Sequence, residues 1–156
     1  MSGKAIRETL GFLGVVASLV FVGLEIRQGA AATRAATVLQ LKENWVQLNL
    51  MQAANPGLIE AYDLVRSVGY ENADRRSQFM MLATQRAIMH NWSNAYFQYR
   101  IGTLDHEQWL PLLRHMEAES ARPFVWDIWD GWGYGFDDPF RSLMDSLKAA
   151  NFDPSG

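Results

Sequence analysis

The chain has no cysteine. That absence removes disulfides, thiolate nucleophiles and thiolate-bound metals from consideration. Nor is there a basic stripe that could track phosphates. The formal net charge is −3, and from Glu117 to the C-terminus eight acids are opposed only by Arg122, Arg141 and Lys148. Nucleic acid is therefore not an expected partner. Alternating apolar and polar runs, internal repeats and low-complexity tracts are all missing, which argues against strands, solenoids and disorder. The nucleophile elbow, the P-loop, the dinucleotide fingerprint and triad-like sets are absent too. The sequence leans away from catalysis and implies no cofactor.

What is present is apolar and aromatic. Of 156 residues, 49% are hydrophobic and 20% charged, with six Trp and eight Phe. That is the makeup of one globular domain with enough chain to bury a core. The opening segment is of another kind. Between Glu8 and Glu25 lie sixteen uncharged residues, Thr9 to Leu24. As a helix they span about 24 Å, against about 30 Å of bilayer hydrocarbon. Ten of the sixteen are Leu, Val or Phe. These contribute roughly −3 to −6 kcal/mol on an insertion scale, partly offset by Thr9, Ser18 and the glycines.

Large apolar residues at 10, 12, 13, 15, 16, 19, 20, 21, 22 and 24 leave no polar face. A helix apolar all round is a membrane span or the central helix of a large core. A chain this short has little protein with which to surround one. Residues 1–28 therefore read as an N-terminal transmembrane anchor with a short basic flank, and residues 29–156 as a helical bundle domain. Two alternatives stay open. One is a cleaved export signal, with Lys4 and Arg7 as its basic region and Ala30–Ala32 as a processing site. The other is a soluble core or interfacial helix. Glu25, Arg27 and Gln28, standing between the apolar run and the alanines, speak against cleavage.

Gly11, Gly14 and Ser18 share one narrow stripe of this helix. Gly14-xxx-Ser18 is a small-xxx-small pair of the sort that lets two helices approach closely in lipid, although small residues are common in such segments anyway. Lys4 and Arg7 precede the span and Arg27, Arg34 and Lys42 follow it. The positive-inside rule is thus close to a tie, with a lean toward a cytoplasmic C-terminal domain.

Past Gly29 the pattern is helical throughout. Val38, Leu41, Trp45 and Leu48 form an apolar seam that ends near Asn55-Pro56-Gly57. Leu58, Tyr62 and Val65 mark a second helix, stopped near Gly69. Asp74 is the expected N-cap of the longest bundle helix, which runs to Ile101 with Gly102 as its stop signal. On this helix Leu82, Met89 and Tyr96 line one side, Phe79, Ala83 and Phe97 another, and Ser77, Thr84, Asn91 and Gln98 the wet side. Asp105 with Gln108 resembles a capping box for a fourth helix, to about Ala121. A short Trp-rich helix follows Pro123 and breaks at the glycines 131, 133 and 135. Asp138-Pro139 opens a last helix, to about Ala150. The fold class is all-α: a membrane helix continuing into a bundle of about five further helices.

Three groups invite a functional reading. Arg86, His90 and Asn94 recur at four-residue steps on one face, together with Phe79, Ala83 and Phe97, and so are expected to be partly buried. They read either as a ligand pocket, with Arg86 holding an anion and His90 titrating near neutrality, or as a paired polar network that fixes helix packing. Trp126, Trp129 and Trp132 read either as an interaction surface or as packing anchors, the latter favoured for the first two by their spacing of three. His106 and His115, with Glu107 or Glu117, match neither HExxH nor the ExxH pairs of di-iron bundles, so no metal is expected. Asp127, Asp130, Asp137 and Asp138 do not fit an EF-hand loop.

Two stretches carry a resemblance. "VASLVFVGLEIRQGAAATRAAT", Val16 to Thr37, is similar to the start of uncharacterised small bacterial proteins with a single N-terminal transmembrane helix. "NAYFQYRIGTLDHEQW", Asn94 to Trp109, resembles a second segment of that group, in which an aromatic-rich helix ends before a Gly-x-Leu-Asp turn. Together they cover about a quarter of the chain. Gly29 departs from the pattern, which often has asparagine after the Arg-Gln pair. The resemblance implies an anchored, all-helical protein of the bacterial inner membrane and brings no reaction or ligand with it. The expectation is a single-pass membrane protein acting by binding, to a second copy of itself or to a protein partner. The alternative is a small-molecule sensor or enzyme with a pocket around Arg86, His90 and Asn94.

Overall fold

The computed structural model describes residues 3–151, with side-chain surroundings for residues 11–150. The side chains of Lys4 and Arg7, the basic flank of the expected anchor, lie outside the described residues. Among those described the chain is all-α. The order is α1 (Gly3–Ala53), α2 (Pro56–Val68), α3 (Arg75–Arg100), α4 (His106–Ser120), α5 (Pro123–Trp132), a single 3-10 turn (Gly133–Gly135) and α6 (Asp138–Asn151). A long apolar N-terminal helix followed by five further helices is the architecture the sequence implies.

Two compact units divide the chain at 36/37, where the sequence pattern suggests 28/29. In the first unit every residue from Gly11 to Ala36 is exposed. Phe12 is 68% exposed, Leu19 67% and Ile26 67%. Helix α1 is the one helix among the described residues that is long and apolar enough to cross a membrane. Two of its hydroxyls bond back to the helix: Ser18 Oγ donates to the Gly14 carbonyl and Thr33 Oγ1 to that of Gly29, each at 2.9 Å. The second unit begins where α1 turns amphipathic. Leu41 and Leu48 are buried, and Val38 and Trp45 pack partly buried against the same core.

Helix α3 lies at the centre of the second unit and packs against α2, α4, α5 and α6. Its start is fixed by Asp74, whose carboxylate accepts from the backbone N–H of Arg76 and Ser77 at 2.9 and 3.1 Å and from the Ser77 hydroxyl at 2.7 Å. The Ser77 hydroxyl, then the amides, hold the Asp74 carboxyl below its ordinary range. Its end is a Schellman turn: Thr103 N–H donates to the Gln98 carbonyl at 3.0 Å and Gly102 N–H to that of Tyr99 at 3.1 Å. Gly102 sits at φ +78°, a conformation that a side chain disfavours. The next residue but one, Leu104, is buried, and Asp105 Oδ1 then accepts from Gln108 N–H at 3.0 Å to cap α4. The Gly-x-Leu-Asp motif is thus a helix stop, a core plug and a helix start in four residues.

The aromatic load makes a connected ladder. Tyr99 stacks on Trp109 with ring centroids 5.1 Å apart, Trp109 meets Tyr96, Tyr96 meets Phe140, and Phe140 meets both Trp129 and Phe136. This ladder ties α3, α4, α5 and α6 together through rings. Gly133 is needed for it. A Cβ there would stand 2.8 Å from Trp129 Cε2, so the indole lies directly on bare backbone.

Candidate functional site

The expected site on α3 is placed differently from its pattern. Phe79 is 69% and Phe97 51% exposed, and His90 is exposed with them. On the face they share, Arg86 and Asn94 are half-buried, as the pattern implies, while His90 is exposed. The buried stripe runs through Ser77, Met81, Gln85, Ile88, Met89, Trp92 and Ala95. Ser77, expected on the wet side, is among them because Asp74 already satisfies its hydroxyl.

Instead of lining a cavity, Arg86 lays its guanidinium over the Trp132 ring, 3.9 Å from the centroid. The His90 ring meets Phe136 at 4.9 Å, and Asn94 Oδ1 accepts from Gln98 Nε2 at 3.5 Å. The three do not converge on one another. Arg86 and His90 are partnered by aromatic rings and Asn94 by the Gln98 amide.

The tryptophan trio divides. Trp126 and Trp129 are buried, the packing role that their spacing favours over an interaction surface. Their N–H groups are satisfied inside, Trp126 donating to the Ser120 carbonyl at 2.8 Å and Trp129 to Asp145 Oδ1 at 3.1 Å. Only Trp132, stacked on exposed Tyr134, faces solvent. On α1, a Cβ at Gly11 or Gly14 would meet nothing within 4 Å. His115 packs its ring against Trp45 and Trp92, at 5.2 and 5.9 Å. Among the described residues no group of three or more His, Asp or Glu is gathered as a metal site would require.

A different constellation emerges on the opposite side of α3. A cleft of about 250 Å³ is walled by Leu58, Met81, Ile88 and Phe124, with Gln85, Tyr62, Glu119 and Arg122 contributing polar groups. The sequence builds it from element ends. Pro56 starts α2 at the right place to present Leu58 and Tyr62, while Arg122 and Pro123 turn the chain from α4 into α5 and set Phe124 edge-on to Tyr62 at 6.0 Å. At the rim Arg122 Nη1 lies 2.6 Å from Glu119 Oε2, with its guanidinium 5.6 Å over the Tyr62 ring.

The unusual member is Gln85. It is 2% exposed, and its Nε2 is buried without a hydrogen-bond partner. The indole N–H groups of Trp45 and Trp92 are buried and unpaired as well, and each such donor is uncommon in folded proteins and costs about 1–3 kcal/mol.

Tyr62, Arg122 and Phe124 also border a second cleft, of about 380 Å³, which reaches Tyr70 and Asp127. Burial, and then the Asp127 charge, push the Tyr70 phenol up. Burial raises the Asp127 carboxyl, with Glu71 and Asp130 adding to the shift and Lys148 opposing it. Lys148 itself is held by Asp130, its Nζ donating at 2.7 and 2.8 Å.

No family model matches the chain, and neither curated proteins nor solved structures yield a match. The sequence signal for Gln85 is a lone long amide in a stripe made mostly of Met, Ile, Trp and Ala. Ser77 is the other polar member of that stripe, but its hydroxyl is taken by Asp74, and Gln85 stands out only once the stripe is known to be the buried one.

Proposed function

We propose that this protein is held in a bacterial inner membrane by a single N-terminal span, and that its helical bundle is a binding module on the cytoplasmic side. One observation carries the anchor. Over Gly11–Ala36 no residue is covered, and ten large apolar side chains, from Phe12 to Ile26, are each 40–68% exposed. Together they present on the order of 1,000 Å² of greasy surface, beyond the ~300–600 Å² patch of an ordinary soluble monomer. Water would penalise such a surface and lipid would not. The two hydroxyls that bond back to their own helix fit the same setting, since neither asks anything of its surroundings.

The binding role is supported by the absence of a catalytic pattern in the sequence and by an exposed aromatic patch, Trp132 and Tyr134 with Arg86 stacked on the indole. Alkaline carbonate extraction of native membranes tests the anchor. The protein is expected to stay in the pellet, and its release into the soluble fraction would overturn the assignment. Orientation is tested by Ser142→Cys, an exposed position on α6 in a chain with no native thiol. The new thiol should resist a membrane-impermeant maleimide in intact cells and react after lysis.

A further inference from the structure

The first cleft has a property that packing alone does not explain. Its walls are mostly apolar, with Gln52 and Thr84 lining it besides the polar groups named above, its volume is about 250 Å³, and one of its residues holds a donor that nothing in the chain satisfies. An apolar cavity of about 150 Å³ admits benzene, so this one has room for about ten non-hydrogen atoms. We infer that the cleft beside Gln85 binds a small, uncharged, apolar molecule bearing one carbonyl oxygen, which accepts from the Gln85 amide.

Three features define that guest. Leu58, Met81, Ile88 and Phe124 require an apolar body. The orphan Nε2 requires an acceptor, and the last torsion of a glutamine is soft enough to turn its N–H toward one. The rim disfavours negative charge: Arg122 lies 2.6 Å from Glu119, whose carboxylate already offsets the guanidinium's charge. The Glu119 carboxylate, only 14% exposed, would repel an anion. This inference goes beyond the anchored-module reading and does not depend on it, because the site lies wholly within the second unit.

The test uses the full chain, isotopically labelled, in detergent micelles. Three probes are titrated: acetophenone, ethylbenzene as the same skeleton without oxygen, and benzoate as its anionic counterpart. The readouts are the Gln85 side-chain amide resonance, assigned by its loss in Gln85→Met, and the methyl groups of Met81 and Ile88. Acetophenone should shift the amide saturably, ethylbenzene should bind about tenfold more weakly, and benzoate should not compete. In Gln85→Met, acetophenone should lose about the same tenfold, read from the two methyl groups.

An amide that does not move under saturating acetophenone would overturn the inference, since it would mean that the donor is met by water or sealed. So would equal binding of acetophenone and ethylbenzene, a comparison that needs no variant. Benzoate binding as tightly as acetophenone would overturn the assignment of an uncharged guest.

Discussion

Replacing Gln85 with methionine should make the protein more stable. The reasoning starts from an amide that is 2% exposed and has an unpaired Nε2. Leaving a buried donor unsatisfied costs about 1–3 kcal/mol, whereas removing the donor altogether costs nothing of the kind. Methionine has nearly the same length and volume, and its flexible thioether adapts to irregular gaps, so reshaping the site should take back less than about 1 kcal/mol. The net gain is about 1–2 kcal/mol. For a bundle the size of the second unit this corresponds to a rise in Tm of about 3–10 °C.

The assay is thermal unfolding of the full chain in detergent, followed by circular dichroism, with ligand-free wild type and variant side by side. A companion variant sharpens it. Gln85→Glu would put a carboxyl in the same place, where burial raises its pKa. That variant should be destabilised at neutral pH and recover as the pH falls toward about 4, where the group is neutral in both states. An unchanged or lower Tm for Gln85→Met would refute the reasoning, because it would show that the amide already has a partner worth keeping.

Other perturbations follow from the same geometry. The Asp127 carboxyl is raised by burial and by neighbouring acids, so its contribution is most favourable below about pH 4 and is lost as pH rises through its folded value. Asp127→Asn should therefore melt higher than wild type near pH 7, with the gap closing toward about pH 4 in a pH series of thermal melts. Gly133→Ala sets a methyl 2.8–3.0 Å from three atoms of the buried Trp129 ring and should cost about 1–3 kcal/mol in denaturant unfolding. Gly14→Leu should weaken self-association in a membrane dimerisation assay if two copies pack through the Gly11, Gly14 and Ser18 stripe. An unchanged signal would remove that stripe as a contact.

Local punctuation was the most readable layer of the sequence. Asp74, Asp105, Gly69, Gly102, Pro56 and Pro123 each act within three or four residues of themselves, and each stops or starts a helix where its chemistry says it should. The same locality explains why the seam of Val38, Leu41, Trp45 and Leu48 was legible: Lys42, Glu43 and Gln47 hold other faces, although Leu39 and Val46 stand exposed beside them. It explains the uncovered first helix too, since a surface with no polar face leaves periodicity nothing to misjudge.

Helix α3 shows where that legibility stops. Its apolar arc is wide, and Met80 and Ile88 flank the polar row of Ser77, Thr84, Asn91 and Gln98, so spacing alone misplaces the buried side and the decision passes to its partners. Ser77 can be buried because Asp74 takes its hydroxyl. Phe97 and Phe79 can be exposed because the hydrophobic cost of one uncovered ring is small beside a well-filled interior of Met81, Met89, Trp92 and Ala95. Once the outward face is fixed, Arg86 and His90 find rings from Trp132 and Phe136, more than forty residues further along the chain. No local rule links such distant positions.

Gln85 is the reverse case, a polar residue placed where the core would prefer methionine. Trp45 and Trp92 also keep unpaired indole N–H groups, but theirs come with rings that the core needs, whereas a buried glutamine beside a cleft calls for a partner from outside the chain. That is why the cleft, rather than the more conspicuous arginine–histidine face, is the better place to look for a ligand.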